Sequence, residues 1–182
     1  MDIRFVCEFE LEESMKRQIA ELLAACFPEI DYDGRPRHYF KQLPHYRLLL
    51  INDSKLIGQM GIDYRVMSLN KKPVTVLGVA DLTIHPDYQG KGYGTQLMQK
   101  FIGLATSHPH NIDFLFLVTD KPGFYERLGF VKTNPKVTWM KIHKGETHSI
   151  GNERINDSYL MYKSISGKPW EDGSLDMMGY WY

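Results

Sequence analysis

The stretch Ile84-His-Pro-Asp-Tyr-Gln-Gly-Lys-Gly-Tyr-Gly-Thr95 restricts what this chain can become more than any other. An apolar, strand-like run precedes it. Leu97, Met98, Phe101, Ile102 and Ala105 follow at helical spacing, so a strand hands over to a helix here. Gly90, Gly92 and Gly94 strip side chains from that junction and permit the positive φ angles that turn successive N–H groups into one concavity. A helix beginning there adds unpaired N–H groups and the positive end of its dipole. The result is an anion cradle suited to a pyrophosphate, with a charge at Lys91 and a hydroxyl at Thr95.

Two familiar phosphate loops fail on spacing. A P-loop places its lysine after the last glycine, whereas Lys91 precedes Gly92 and Gly94. A dinucleotide fingerprint needs Gly-x-Gly-x-x-Gly near the first strand, and this Gly-x-Gly-x-Gly lies deep in the chain. On the loop alone, an ordinary glycine turn before a helix stays open.

The flanks carry more. Gln89-x-x-Gly92-x-Gly94, after the strand Val79-Ala-Asp-Leu-Thr-Ile-His-Pro86, resembles motif A of the GCN5-related N-acetyltransferases, the GNAT family. Downstream, Phe124-Tyr-Glu-Arg-Leu-Gly-Phe130 resembles motif B of the same family. The resemblance runs from the first strand to about Lys163. It implies an α+β fold: a mixed, mostly antiparallel central sheet flanked by helices, with splayed central strands. It also implies transfer of an acetyl group from acetyl-CoA to a primary amine of a small molecule. A peptide or protein amine is one alternative, and a non-catalytic acetyl-CoA-binding module another.

Carried over by position, Leu82, Thr83 and Ile84 line the pantetheine arm and acetyl group, with a backbone N–H polarising the thioester carbonyl. The pyrophosphate lies over Gln89, Gly90, Lys91, Gly92, Tyr93, Gly94 and Thr95. Gln89 stands where relatives often carry arginine. Tyr125 falls on the motif B tyrosine that protonates the departing thiolate, and a phenol with a reference pKa of about 10 holds that proton at neutral pH. Where many relatives carry a cofactor-holding asparagine, this chain reads Val118-Thr-Asp-Lys-Pro-Gly123.

No general base stands out. Some relatives use a glutamate on the motif A strand, where this chain has Gly78. Asp81 shares that strand, but alternation puts its side chain opposite Leu82 and Ile84. His38, His45, His85, Asp31 and Asp33 are the other candidates. His108-Pro-His110 reads as a turn, and no metal is expected.

The remaining expectations are plain. A chain of 182 residues fits a single domain over 1–182, with 166–182 as a tail. Basic and acidic residues balance at 22 each, which points away from nucleic acid and anionic membranes. Cys7 and Cys26 make no disulfide framework. Acids at Glu8, Glu10, Glu12 and Glu13 replace a signal sequence and no apolar run spans a membrane, so the chain reads as cytoplasmic. The resemblance admits a homodimer, though no feature demands one. A helix is expected over Glu12–Phe27 and a hairpin turn at Asn52-Asp53-Ser54. A buried strand is expected over Ile112–Val118 and a polar loop over Gly145–Asn156. The tail's Trp170-x-x-Gly173 resembles the C-terminal ends of aminoglycoside 2′-N-acetyltransferases and nodulation-factor N-acyltransferases, which implies an amino-sugar acceptor.

Overall fold

Where polar turns separate the apolar runs, the described residues fold back on themselves into ten strands and three α-helices. A computed structural model describes residues 1–29, 37–143 and 145–181. Its contacts divide into two compact units: Met1–Asp63 with Ala80–Phe101, and Tyr64–Val79 with Ile102–Tyr182.

In the first unit, β1 (Asp2–Cys7), β2 (Tyr46–Asn52) and the start of β3 (Lys55–Leu69) pair antiparallel in that order. Asp53 and Ser54 both adopt positive φ, which closes β2 onto β3 in a two-residue turn. Helix α1 (Glu13–Cys26) covers one face because Ile19, Leu22 and Leu23 recur at helical spacing. They pack against Leu49, Ile51 and Leu56, each fully buried leucine or isoleucine contributing about 1.5–3 kcal/mol. The end of β4 (Lys72–Ile84) and the start of α2 (Tyr93–Thr106) complete this unit.

The second unit holds the rest of β3 and β4 with β5 (Phe114–Thr119), α3 (Pro122–Glu126), β6 (Val131–Thr133), β7 (Lys136–His143), β8 (Glu146–Glu153), β9 (Tyr159–Ser164) and β10 (Ser174–Tyr180). The strand order is β6-β9-β5-β4-β3-β10-β7-β8. Only β4 with β5 and β7 with β10 run parallel among the described pairs, so the sheet is mixed and mostly antiparallel, as expected. Its core gathers Met67, Val76, Phe114, Phe116, Leu160 and Met177. One ladder is short. Val76–Gly78 pair with Phe114–Phe116 and the pairing stops, although β4 continues to Ile84 and β5 to Thr119.

Two expectations are corrected. The segment expected as a polar loop over Gly145–Asn156 contains β8, an edge strand that pairs with β7 through Glu146–Glu153. Only Gly151 of its residues is buried, so no apolar alternation announces it. Gly151 has a reason of its own: a Cβ there would meet the Trp139 ring at 2.5 Å. The supposed tail supplies β10, which lies between β3 and β7 and buries Leu175 and Met177. Among the described residues, no helix is long and apolar enough to cross a membrane.

Candidate active site

Strand β4 ends at Ile84, and His85 caps the turn Pro86–Tyr88 by accepting from the Asp87 N–H at 3.3 Å. The glycine loop follows. Gly90 and Gly92 have φ of +74° and +81°, and a Cβ at either would face open space. These glycines therefore serve conformation, not internal packing. Gly94 does a different job from the one expected of it, since it already lies in the first turn of α2.

The Gln96 N–H makes the first helical bond, to the Gly92 carbonyl at 3.1 Å. The N–H groups of Tyr93, Gly94 and Thr95 precede that bond and find no carbonyl one turn back. No acidic side chain occupies the first turn. A diphosphate fits this arrangement of backbone donors and dipole. The side chains brace the loop instead: Gln89 Nε2 donates to the Ile84 carbonyl at 2.9 Å and Lys91 Nζ to the Asp87 carbonyl at 2.9 Å. Lys91 also lies 5.2 Å from the Tyr88 ring centre.

Just upstream, β4 departs from regular extended geometry. Asp81 has φ of +52°, a break in the extended backbone, and beyond it Thr83 is buried with Leu82 and Ile84 half-buried on either side. The Asp81 carbonyl accepts from Gln59 Nε2, which also lies 3.3 Å from Thr83 Oγ1. Gln59 Oε1 in turn accepts from Arg47 Nη1 at 2.7 Å. Arg47 is wholly buried, and its remaining donors reach Glu8 at 2.6 and 3.4 Å and the His38 carbonyl at 2.6 Å. His38 Nε2 lies 3.2 Å from Glu8. Sequence reasoning missed this chain of contacts. Its signal was an arginine and a glutamine set inside otherwise apolar strands, Arg47 ahead of Leu48-Leu-Leu-Ile51 and Gln59 before Met60.

Burial pushes the Asp81 carboxyl up to about 6, with Asp63 adding to the rise and Arg47 and Lys41 opposing it. Burial likewise lowers Lys41 and His38, so the imidazole favours its neutral form although Glu8 opposes this. A cavity of about 500 Å³ opens beside His38 and Glu8, lined also by Phe9, Tyr39, Leu43 and Tyr46.

Tyr125 lies in α3, buried edge-on against Phe124 and Phe130. Loss of water, helped by Asp120, pushes its phenol up to about 12, against a hydrogen bond with the Thr119 side chain that lowers it. The remaining candidates separate. His45 meets Asp63 at 3.4 Å, and His85 is taken by its cap and by Asp87 at 3.7 Å. His108 contacts the Leu104 carbonyl at the end of α2. Asp31 and Asp33 lie outside the described residues. Among the described residues, no three potential metal ligands gather.

The tail motif has a packing explanation. Trp170 stacks on Tyr162 at 4.4 Å and Phe116 at 6.1 Å, and donates to Thr133 Oγ1 at 2.8 Å. A Cβ at Gly173 would collide with the Asn70 side chain, whose Oδ1 accepts from the Ser174 N–H. Both residues of Trp170-x-x-Gly173 are thereby accounted for without a ligand.

A mixed sheet with an interrupted parallel ladder, feeding through a glycine loop into a helix N-terminus, defines the class of acyl-CoA-binding α+β proteins. The acetyltransferase (GNAT) domain family matches residues 10–132, and the chain belongs to it. It thus carries a GNAT acetyltransferase domain. An uncharacterized N-acetyltransferase of Methanocaldococcus jannaschii is 25% identical over 130 residues, covering 62% of this chain and 57% of that protein. The match therefore spans little more than half of the relative. The fold is similar to that of the Escherichia coli GNAT protein YhbS solved with CoA, with a TM-score of 0.61, 16% identity, and 96% and 88% of the two chains covered. A Brucella melitensis GNAT acetyltransferase solved with acetyl-CoA gives a TM-score of 0.57, 16% identity, and coverage of 96% and 94%.

Proposed function

We propose that this protein transfers an acetyl group from acetyl-CoA to a primary amine of a small molecule by direct attack on the thioester. The observation that carries the reading is the donor array of the loop from Gly90 to Thr95, placed directly after Leu82–Ile84 on β4. Backbone N–H groups of Tyr93, Gly94 and Thr95 hold the pyrophosphate, supported by the dipole of a 14-residue helix. Gln89 and Lys91 act indirectly, keeping the loop open by bonding its own carbonyls. Leu82, Thr83 and Ile84 supply the strand edge along which the pantetheine and acetyl group lie. Treating 1–182 as one domain is supported by β3, β4 and α2, each of which gives residues to both compact units.

Tyr125 is the proposed donor to the departing sulfur. Held at about 12, its phenol stays neutral at any working pH and offers a hydrogen bond as negative charge develops. Full transfer to a thiolate with a reference pKa of about 8.5 runs uphill, so we expect a stabilising donor rather than a freely ionising acid. Tyr125→Phe should lower kcat by about 10²-fold and leave the affinity for acetyl-CoA within twofold. Unchanged turnover would remove Tyr125 from the reaction.

For the acceptor, the cavity beside Glu8 favours a compact amine with an apolar body. Phe9, Tyr39, Leu43 and Tyr46 give it flat apolar walls, and the Glu8 charge is already spent on Arg47. The amino-sugar idea loses its clue, because Trp170 and Gly173 are used in packing. The deciding experiment titrates the protein calorimetrically with acetyl-CoA, using NAD as control, then follows thiol release with 2-phenylethylamine, glucosamine and spermidine. Micromolar binding of acetyl-CoA and turnover of an amine support the reading. A folded protein that binds no acetyl-CoA would overturn it.

A further inference from the structure

We propose that Gln59 is a positioning residue: clamped by Arg47, its carboxamide sets the backbone of β4 at Asp81 and Thr83 and ties that strand to the cavity wall at Glu8 and His38. The assignment rests on the acetyl-transfer reading above, in which this stretch of β4 is the edge along which the acetyl-bearing arm lies.

Elementary chemistry fixes which way the amide faces. Gln59 is wholly buried, where an unpaired carboxamide would be costly. A guanidinium offers donors only, so the bond from Arg47 Nη1 at 2.7 Å assigns Oε1 to that side. Nε2 then faces β4, where it meets two acceptors: the Asp81 carbonyl, and Thr83 Oγ1 at 3.3 Å. Thr83 Oγ1 donates to the same Asp81 carbonyl at 3.4 Å. Turning the amide over would set its oxygen against a carbonyl and its NH2 against a cation.

The strand has a use for this hold. Asp81 has a φ of +52°, which non-glycine residues seldom adopt unless their surroundings impose it. Gly58 and Gly61 sit on either side of Gln59 and Met60 and let β3 and β4 close up. A Cβ at Gly58 would lie 3.1 Å from the Thr83 carbonyl oxygen, and one at Gly61 3.3 Å from that of Ala80. Gln59 is therefore a large polar side chain placed where two strands meet closely and one of them leaves extended geometry.

The far end of this relay is the cavity. Arg47 donates through Nε to Glu8 at 2.6 Å and through Nη2 to the His38 carbonyl at 2.6 Å. Glu8 and His38 both line the cavity. A molecule seated there touches the groups that hold Arg47, and Arg47 and Gln59 carry that contact to Asp81 and Thr83. All six residues belong to the first compact unit. Backbone donors of Leu82–Ile84 can serve the thioester only while the peptide planes leading into them are held, and a shift of about 1 Å in a reacting geometry can lower the rate by about 10²-fold.

The test uses Gln59→Glu and Gln59→Met in the full chain. Gln59→Glu keeps the shape and an acceptor for Arg47 but has no donor for the Asp81 carbonyl. Gln59→Met keeps the length and has neither. The first readout needs no cofactor. In ¹⁵N-labelled unaltered protein, one glutamine carboxamide should be protected from solvent exchange and show cross-relaxation to Thr83. In both variants the amides of Leu82–Ile84 should exchange at least about tenfold faster while circular dichroism stays the same. The pair Glu8→Leu with Arg47→Met, which leaves Gln59 unclamped, should loosen the same amides, and adding Gln59→Met to that pair should change little more, because members of one network do not act additively. With acetyl-CoA and the fastest of the three amines, both Gln59 variants should lose at least about tenfold in kcat with the amine KM within about threefold, a split that a merely structural role would not produce. If the unaltered protein binds no acetyl-CoA, the functional reading fails, and the exchange data report on Gln59 by themselves. If a Gln59 variant does not fold, the carboxamide of the unaltered protein and the Glu8–Arg47 pair of substitutions decide. An unprotected Gln59 carboxamide, unchanged exchange at Leu82–Ile84, full additivity, or unchanged kcat in folded variants would each overturn the assignment.

Discussion

Arg47 is wholly buried and Glu8 nearly so, and their pairing is the most consequential polar contact in the first unit. The guanidinium spends Nε and Nη2 on the two Glu8 oxygens, Nη2 also on the His38 carbonyl, and Nη1 on Gln59. Glu8→Gln keeps an acceptor at the site but leaves a fully buried cation without its counter-charge. Breaking a buried pair in this way costs about 3–5 kcal/mol, a third or more of the 5–15 kcal/mol that holds a typical domain. Replacing both partners by apolar residues of similar size (Glu8→Leu with Arg47→Met) removes the stranded charge and should restore stability to within about 1 kcal/mol, or raise it.

Turnover should not follow stability. Without Arg47, Gln59 loses its anchor at 2.7 Å and no longer fixes the Asp81 carbonyl and Thr83. Urea unfolding followed by circular dichroism gives the stabilities of the Glu8→Gln variant and the double variant. The same proteins assayed for thiol release give the activities. A Glu8→Gln cost under 1 kcal/mol would show that the buried charge is otherwise compensated. A double variant with full turnover would show that the relay does not set the geometry of β4.

Three further outcomes follow from the same structure. Gly92→Ala forces a side chain onto a φ of +81° at a cost of about 1–2 kcal/mol, and should weaken acetyl-CoA binding at least tenfold; unaltered affinity in calorimetry would disconnect the loop from the cofactor. Trp170→Ala removes an aromatic stack and an indole bond to Thr133, so it should cost about 3–5 kcal/mol in urea unfolding with acceptor KM unchanged, and a selective rise in KM would return the tail to the acceptor site. Asp81→Asn should be more stable than the unaltered protein above pH 6. The folded carboxyl sits at about 6, above its ordinary 3.8, so its contribution is fully present below the ordinary value and is lost as pH rises through about 6. At about 1.4 kcal/mol per pKa unit the gain at pH 8 approaches 3 kcal/mol as an upper bound, and should vanish below pH 4; equal stability of the two proteins at pH 8 would show that the carboxylate is solvated.

The parts of this fold that were legible in the sequence are those written locally. Helical spacing from Met15 to Cys26 and the turn at Asp53-Ser54 were read from neighbouring residues, and α1 and the β2–β3 hairpin lie there to within two residues. The positive φ at Gly90 and Gly92 was legible for the same reason, since no other residue takes it so cheaply. What escaped was decided at a distance. Strand β8 exists because β7 offers it a ladder, and Glu146-Thr-His-Ser-Ile-Gly-Asn-Glu153 has no apolar face to betray it. Strand β10 did show alternation at Leu175, Asp176 and Met177, yet seven residues after a glycine-rich stretch were too few to outweigh the look of a tail. The conformation of Asp81 was least accessible. Period two predicts its face only while φ stays negative, and the residues that hold it otherwise, Gln59 and Arg47, lie on other strands.

Two aspartates show how differently this fold treats a carboxylate that burial disfavours. Asp113, just ahead of β5, also sits where burial works against its charge. There Lys168, the Thr75 N–H and the Ser166 hydroxyl all bind the carboxylate, and together they hold it below the ordinary range. The protein thus answers a disfavoured carboxylate at one position in the way stability demands. At Asp81 burial is again the largest influence, but Arg47 and Lys41 offset it only in part, so the carboxyl rises to about 6 on a backbone conformation most residues avoid. Asparagine would remove the charge and tolerate the positive φ. Conformations that most residues avoid persist where their surroundings impose them, and at Asp81 the imposing contacts come from Gln59 and Arg47 on other strands, directly ahead of Leu82–Ile84.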